Sequence, residues 1–237
     1  MVPLSNHALL TVWELGHARS AVERAVLLIS AAFPGTAVSD LAELSIGERD
    51  ARLLRLRELI FGSRLAALAD CPGCGEHLEF EMDAEQLRLS PPSDSEFSVD
   101  TGEYHVEFRL PNSVDLAAVL TGSADVDAGR RKLLDRCIKS HRPGSEMPEA
   151  VIEAVAAVMA RADAQADVRL RLDCPACKQH WEQIFDIASF FWGEVHAWAL
   201  RTLREVHQLA AAYGWSEADI LAMSPWRKQV YLELLGG

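Results

Sequence analysis

Four of the five cysteines fall into two Cys-Pro-x-Cys pairs, Cys71 with Cys74 and Cys174 with Cys177. A Cys-x-x-Cys turn presents two thiolates to one ion while backbone N–H groups point at the sulfurs, and two such turns complete a tetrahedral four-thiolate zinc site. The pairs sit in a short internal repeat: Asp70-Cys-Pro-Gly-Cys-Gly-Glu-His77 lies over Asp173-Cys-Pro-Ala-Cys-Lys-Gln-His180, identical at five positions. Gly75 suits the tight turn after the first pair. Lys178 stands at the equivalent place in the second, where the turn is expected to be less relaxed and the Lys charge favours the thiolate. Four sulfurs leave no open position for water or substrate, so the expected role of the zinc is structural rather than catalytic. His77 and His180 lie three residues beyond each second cysteine. Either could replace a thiolate, but four sulfurs suffice, and both read as strand-start residues beside the site. Redox-active pairs are the competing reading; a thioredoxin-like site would need one pair at the start of a helix, and here strands follow both pairs. Cys137 stands apart and reads as a half-buried helix residue.

The elements that must position these thiols are short strands. His77–Asp83, Tyr104–Leu110, Asp167–Asp173 and Trp181–Phe185 alternate apolar and polar residues, the pattern of half-exposed strands. Strand hairpins beside both knuckles are the zinc-ribbon arrangement, yet 99 residues separate the pairs where a compact ribbon has about 15 to 20. Residues 84–165 are therefore expected to be an insertion, with 90–102 as a polar connection, short helices near 113–121 and 127–139, a loop from His141, and a helix from Pro148 to about Ala164. From residue 1 to 68 the pattern is helical. Ser20 with Glu23 and Ser45 with Glu48 are spaced as capping boxes, and Gly62 stands where a left-handed C-terminal cap belongs. From 188 to the end the chain again reads as helical, with a long helix stopped by Gly214, a helix capped at Ser216 and another opened by Ser224-Pro225. The expected fold class is α+β: mainly helical, with a small antiparallel zinc-ribbon core built from two distant knuckles. Its regions are 1–68 helical, 69–110 first half of the ribbon, 111–165 helical insertion, 166–187 second half of the ribbon, and 188–237 a helical docking module.

Of 237 residues, 23 are Lys or Arg and 35 are Asp or Glu, a net charge of −12 that disfavours phosphate backbones and anionic lipid. The Arg49, Arg52, Arg55 and Arg57 run, interleaved with Glu48, Asp50 and Glu58, reads as a solvated face. The longest mostly apolar uncharged run, Ala25–Phe33, is far short of the ~20 residues that span a bilayer. With no basic first segment and no cleavage site, the expected location is the cytoplasm. Phosphate-binding loops, nucleophile elbows, His-Glu-x-x-His and dinucleotide fingerprints are all missing, so neither an enzyme nor a small-molecule substrate is expected. Glu194-Val-His196 recurs as Glu205-Val-His207, placing the two histidines on one helix face about 16 Å apart, too far to share a metal. Four of the six Trp lie in the C-terminal helices. Trp215, Trp226 and Tyr231 are the candidates for a partner-docking surface, Trp226 foremost because Arg227 and Lys228 beside it suggest a surface position.

Two stretches together resemble a known family: Leu44-Ser-Ile-Gly-Glu-Arg-Asp50 leading through LLRLRELIFG into CPGCGEHLEFEMD, and the ending EVHQLAAAYGWSEADILAMSPWRKQVYLELL. The pairing resembles baseplate or tail-assembly proteins of tailed phages and related contractile injection systems, and the ending is similar to the phage baseplate hub assembly chaperone family. The resemblance covers about 45–83 and 170–235 and leaves out 84–165. It implies a noncatalytic structural or chaperone-like assembly protein with baseplate or tail proteins as partners, working in the host cytoplasm or kept in the tail. A zinc-ribbon nucleic-acid-binding or transcription-associated module is the alternative, against which the acidic balance counts.

Overall fold

The computed structural model describes residues 1–89, 96–122 and 125–236. Four helices, α1 (Asn6–Gly16), α2 (Ala21–Ala32), α3 (Val38–Ala42) and α4 (Ile46–Phe61), precede an antiparallel hairpin of β1 (Arg64–Asp70) and β2 (His77–Asp83). The short α5 (Ala84–Leu87) is followed by an antiparallel sheet of β3 (Phe97–Thr101), β4 (Tyr104–Phe108) and β5 (Ile138–Arg142), with α6 (Ser113–Leu120) and α7 (Val126–Cys137) between the last two strands. Next come α8 (Glu149–Ala162) and a 3-10 turn, Ala164–Asp167. A second hairpin of β6 (Arg169–Asp173) and β7 (His180–Ile184) runs into α9 (Ile187–Tyr213), α10 (Glu217–Leu221) and α11 (Pro225–Gly236). The fold is mainly helical with small antiparallel sheets, the α+β class expected.

Helix boundaries follow from the caps. Ser20 accepts from the Glu23 N–H while the Glu23 carboxylate accepts from the Ser20 N–H at 2.9 Å, a complete capping box at the start of α2. At α4 only half of the expected box forms. Ser45 accepts from the Glu48 N–H, but the Glu48 carboxylate turns forward to Arg52 one helical turn on. Gly62 leaves α4 with φ 90° and ψ 179°, an extended positive-φ conformation rather than the left-handed helical cap expected. That break throws the chain into β1, so residues 64–68 are strand and not helix. Leu65 is buried and Ala67 and Ala69 are half-buried, while Arg64, Ala66, Leu68 and Asp70 face solvent. Seven continuous pairs with β2 fix the register.

Three cores result. The largest joins α1 to α5, β1 and the start of α9 through Leu9, Leu28, Ile29, Leu53, Leu54, Leu56, Leu65 and Phe191, each contributing roughly 2 kcal/mol on full burial. The bases of both hairpins, through Met82, Val168, Leu170 and Phe185, rest on this same core. A second core, around Val106, Phe108, Leu134, Val155 and Met159, fills the space between the three-stranded sheet, α7 and α8. The third packs Leu10, Leu209, Ile220 and Leu221 with Trp215 and Tyr231.

The middle of the chain is less like a plain helical insertion than expected. Residues 97–101, expected as connection, form β3, and residues from 141, expected as loop, continue β5. Phe108 pairs with Ile138 and His105 with Arg142, so one sheet spans the 110/111 boundary. Residues 90–95 of the expected polar connection lie outside the described residues. The segment also docks on α4 through polar groups. Ile46 N–H donates to Pro111 C=O at 3.0 Å, Gly47 N–H to Asp163 Oδ2 at 2.9 Å, and Leu89 N–H to the Gln165 side chain at 2.6 Å.

The arginine run of α4 is not a solvated face. Arg49 and Arg57 are buried. Arg49 pairs with Asp50 at 2.7 Å and donates to Ser113, while Arg57 forks onto both Glu194 oxygens at 2.8 and 2.6 Å and reaches the Gly62 carbonyl. A guanidinium has enough donors to satisfy several acceptors at once, so burial is tolerated where each finds one.

Candidate metal centre

Each knuckle is the turn of a two-stranded hairpin, and the two turns have the same backbone wiring. In the first, Cys71 N–H donates to Glu76 C=O and Gly75 N–H to Cys71 C=O, both at 2.9 Å; in the second, Cys174 N–H donates to Gln179 C=O at 2.9 Å and Lys178 N–H to Cys174 C=O at 3.0 Å. Both turns need a left-handed residue after the second cysteine. Gly75 supplies it at φ 75°, and Lys178 adopts φ 63°, the one non-glycine at positive φ among the described residues. The less relaxed geometry expected of the second turn is therefore present.

The tertiary structure brings the two turns tip to tip. All four Sγ atoms lie within 4.8 Å of one another, and among the described residues this is the one group of three or more His, Cys, Asp or Glu side chains so placed. Cys71 Sγ is 3.6 Å from Cys177 Sγ, and Cys74 Sγ is 3.6 Å from Cys174 Sγ. Sulfurs at ~2.3 Å from a tetrahedral zinc stand about 3.8 Å apart, so the spacing fits that ion. It is far longer than the ~2.05 Å of a disulfide, and neither pair opens a helix as a thioredoxin-like site would. Cys71 and Cys174 are buried while Cys74 and Cys177 reach the surface.

Electrostatics single out Cys174 as the first thiolate. The N–H of Cys177, 3.5 Å from its sulfur, and then that of Ala176 favour the anion and draw Cys174 down to about 7. The Glu76 N–H favours ionisation of Cys74, but the Cys177 and Cys174 sulfurs crowding it push that thiol up to about 12. Such a set sheds its remaining protons when a cation arrives. Cys137 is fully buried at the end of α7, and burial, with the nearby Asp115 carboxylate, pushes it up to about 11, which leaves an inert thiol.

His77 and His180 are not part of the sulfur group. Each lies directly across its hairpin from the aspartate that opens the repeat, and its Nδ1 meets that carboxylate: His77 with Asp70 at 2.5 Å, His180 with Asp173. The cross-strand clamp explains why the repeat extends from Asp to His. Asp70 and Asp173 were legible as repeat positions, but only strand register shows them as partners.

The C-terminal candidates divide. Trp226 is 78% exposed at the start of α11. Lys228, whose charge suggested that exposure, is buried with its ammonium on Glu205 at 2.9 Å, so the neighbouring cation was no guide. Trp215 is half-buried, stacked on Tyr213 at 4.5 Å and edge-on to Tyr231 at 4.8 Å, and this trio joins α9 to α11. Glu194 and Glu205, the acids of the Glu-Val-His repeat, hold two buried cations, Arg57 and Lys228, against α9. His196 accepts from Trp13 Nε1 at 3.0 Å, and His207 is exposed.

No helix among the described residues is long and apolar enough to cross a membrane. No curated protein and no solved structure matches the chain. The family described as T4 bacteriophage base plate protein matches residues 7–141. That span holds the first knuckle, overlaps the resemblance at 45–83, adds 7–44 and 84–141 and stops short of 170–235. It takes in more than half of the chain, and the chain belongs to the T4 bacteriophage base plate protein family.

Proposed function

We propose that this chain is a noncatalytic structural or assembly protein of a phage baseplate or contractile injection tail, with one structural zinc held by Cys71, Cys74, Cys174 and Cys177. The observation that carries the metal reading is the meeting of two identically wired turns, from opposite ends of a long segment, with four sulfurs at zinc-site spacing. The ion would tie the tips of the two hairpins, whose bases already rest on the first core, into one unit. A closed thiolate set offers no site for a reacting group, which agrees with a scaffold and not an enzyme. On this reading the chaperone-like work is done by residues 188–237, in the host cytoplasm, on other baseplate or tail proteins. Exposed Trp226 is the anchor of that surface, and Trp215 and Tyr231 set the angle of its helix.

Two measurements test this. Metal analysis of the purified chain is expected to show one zinc per chain; less than half an equivalent, with all thiols freely titratable, defeats the metal reading. Trp226→Ala is expected to keep the fold and zinc while losing co-purification with baseplate proteins, since truncating a central interface aromatic commonly costs ~2 kcal/mol or more. Retained co-purification by a folded variant moves the docking surface elsewhere.

A further inference from the structure

Strand β1 reads Arg64-Leu-Ala-Ala-Leu-Ala-Asp70. It has β2 on one side and no strand on the other, and no further backbone hydrogen bond reaches residues 65–69 among the described residues. Natural edges are guarded by charges, prolines or bulges. β2 carries Glu79 and Glu81 and β6 carries Arg169 and Arg171, whereas β1 has no charge between its two ends and leaves Leu68 73% exposed. A row of unpaired N–H and C=O groups along an uncharged strand is a template for one more strand.

The pattern of the strand states which strand that is. Its cation and its anion stand equally far from Ala67. We propose that β1 pairs antiparallel with β1 of a second copy about a two-fold axis at Ala67. Arg64 then lies opposite Asp70 of the second copy, twice by symmetry, and on the same outer face each Leu68 meets the small Ala66. On the inner face each Leu65 meets Ala69. Parallel pairing would set Arg64 on Arg64 and Asp70 on Asp70, and a slip of one residue would turn every side chain to the wrong face. Arg64 is free for the contact, since it makes no ion pair among the described residues; Asp70 has only Oδ1 on His77. The product is a four-stranded sheet, past the size at which an isolated hairpin is marginal. Because β1 runs toward Cys71, the antiparallel copies carry their cysteine groups to opposite ends of the shared sheet, and the metal centre is untouched.

Sedimentation equilibrium of the full chain over about 10–300 µM tests the proposal, the range in which interfaces smaller than the standard ~1,600 Å² exchange. The wild-type chain is expected to form dimers as concentration rises. Leu68→Lys, an edge charge at an exposed position, is expected to keep the circular dichroism spectrum and metal content and to stay monomeric. Arg64→Asp alone is expected to weaken dimerisation about tenfold or more, by placing like charges opposite each other at both ends of the pairing. Combining it with Asp70→Arg in one chain restores opposite charges in this register and no other, and is expected to recover the dimer. Should Asp70→Arg unfold the chain, exchanging the facing pair by Ala66→Leu with Leu68→Ala is expected to preserve dimers in its place. A monomer at every concentration, or a dimer indifferent to Leu68→Lys, overturns the proposal; neither result bears on zinc content or baseplate binding.

Discussion

Lys178 holds a backbone conformation that suits glycine, and Gly75 occupies the same place in the other knuckle. A side chain in the left-handed region costs on the order of 1 kcal/mol. Lys178→Gly is therefore expected to raise stability by about 1 kcal/mol relative to Lys178→Ala, read from urea unfolding, and Gly75→Ala to lower it by a similar amount. Equal midpoints for the Lys178 variants would mean the turn relaxes around the side chain. At Asp50, pH acts in the opposite sense to most carboxylates. Burial raises it to about 6 against the pull of Arg49, with Asp186 and Asp163 adding like charge. An unfolded aspartate titrates near 3.9, so the native state binds the proton more tightly. The stability this contributes is complete below pH ~4 and is lost as pH rises through 6. From pH 7 to pH 5 the wild-type chain is expected to gain about 1 kcal/mol over Asp50→Asn. The same slope in both proteins would show that Asp50 titrates as an exposed acid does.

Among the elements, α4 is a junction, because its N-terminus receives the middle segment and its C-terminus launches the first hairpin. Asp163, 116 residues away in sequence, places its carboxylate on the Gly47 N–H and so satisfies one of the free donors of the first turn. A Cβ at Gly47 would stand 2.0 Å from Asp163 Oδ1 and 3.0 Å from Gln165 Cβ. Glycine to alanine inside a helix ordinarily stabilises by just under ~1 kcal/mol. Here the sign is expected to reverse, with Gly47→Ala costing about 2 kcal/mol by forcing the 3-10 turn off the helix. A stabilised Gly47→Ala protein in thermal melts would show that this contact is loose. The long α9 plays the complementary part, its Glu194 and Glu205 fixing α4 and α11 through buried cations.

Across the whole molecule, the four cysteines bring together two hairpins whose sequences are about a hundred residues apart. Closing so long a loop is entropically costly, and a bound ion converts its binding energy into folding energy. Cys174→Ser is therefore expected to loosen both hairpins, not only the second, with faster amide exchange in residues 64–83 as well as 169–184. Unchanged exchange at 64–83 would show that the first hairpin is held by the core alone. The bases of both hairpins lie on the first core, through Leu65 and Met82 in one and Leu170 and Phe185 in the other, so the tips are expected to loosen more than the bases.

Read from residues alone, the knuckle repeat determined the two thiol pairs, their turns and the strands β2, β6 and β7, because these depend on contacts a few positions apart. The same holds for the Ser20 box, the Gly214 cap at φ 68° and the Ser216 cap. Strand partners were beyond it. β1 hides behind five small or aliphatic residues, Leu65 to Ala69, that also suit a helix, and β5 is a polar strand, Ile138 to Arg142, recognisable only once β4 lies alongside. The burial of Arg49, Arg57 and Lys228 was equally hidden: Arg57 and Lys228 are covered where Glu194 and Glu205 reach them from 137 and 23 residues away, and Arg49, though paired with its neighbour Asp50, is covered only where Ser113 packs on it. Local propensity and spacing are written in neighbouring residues; register, charge burial and the meeting of the two knuckles are decided by which surfaces pack.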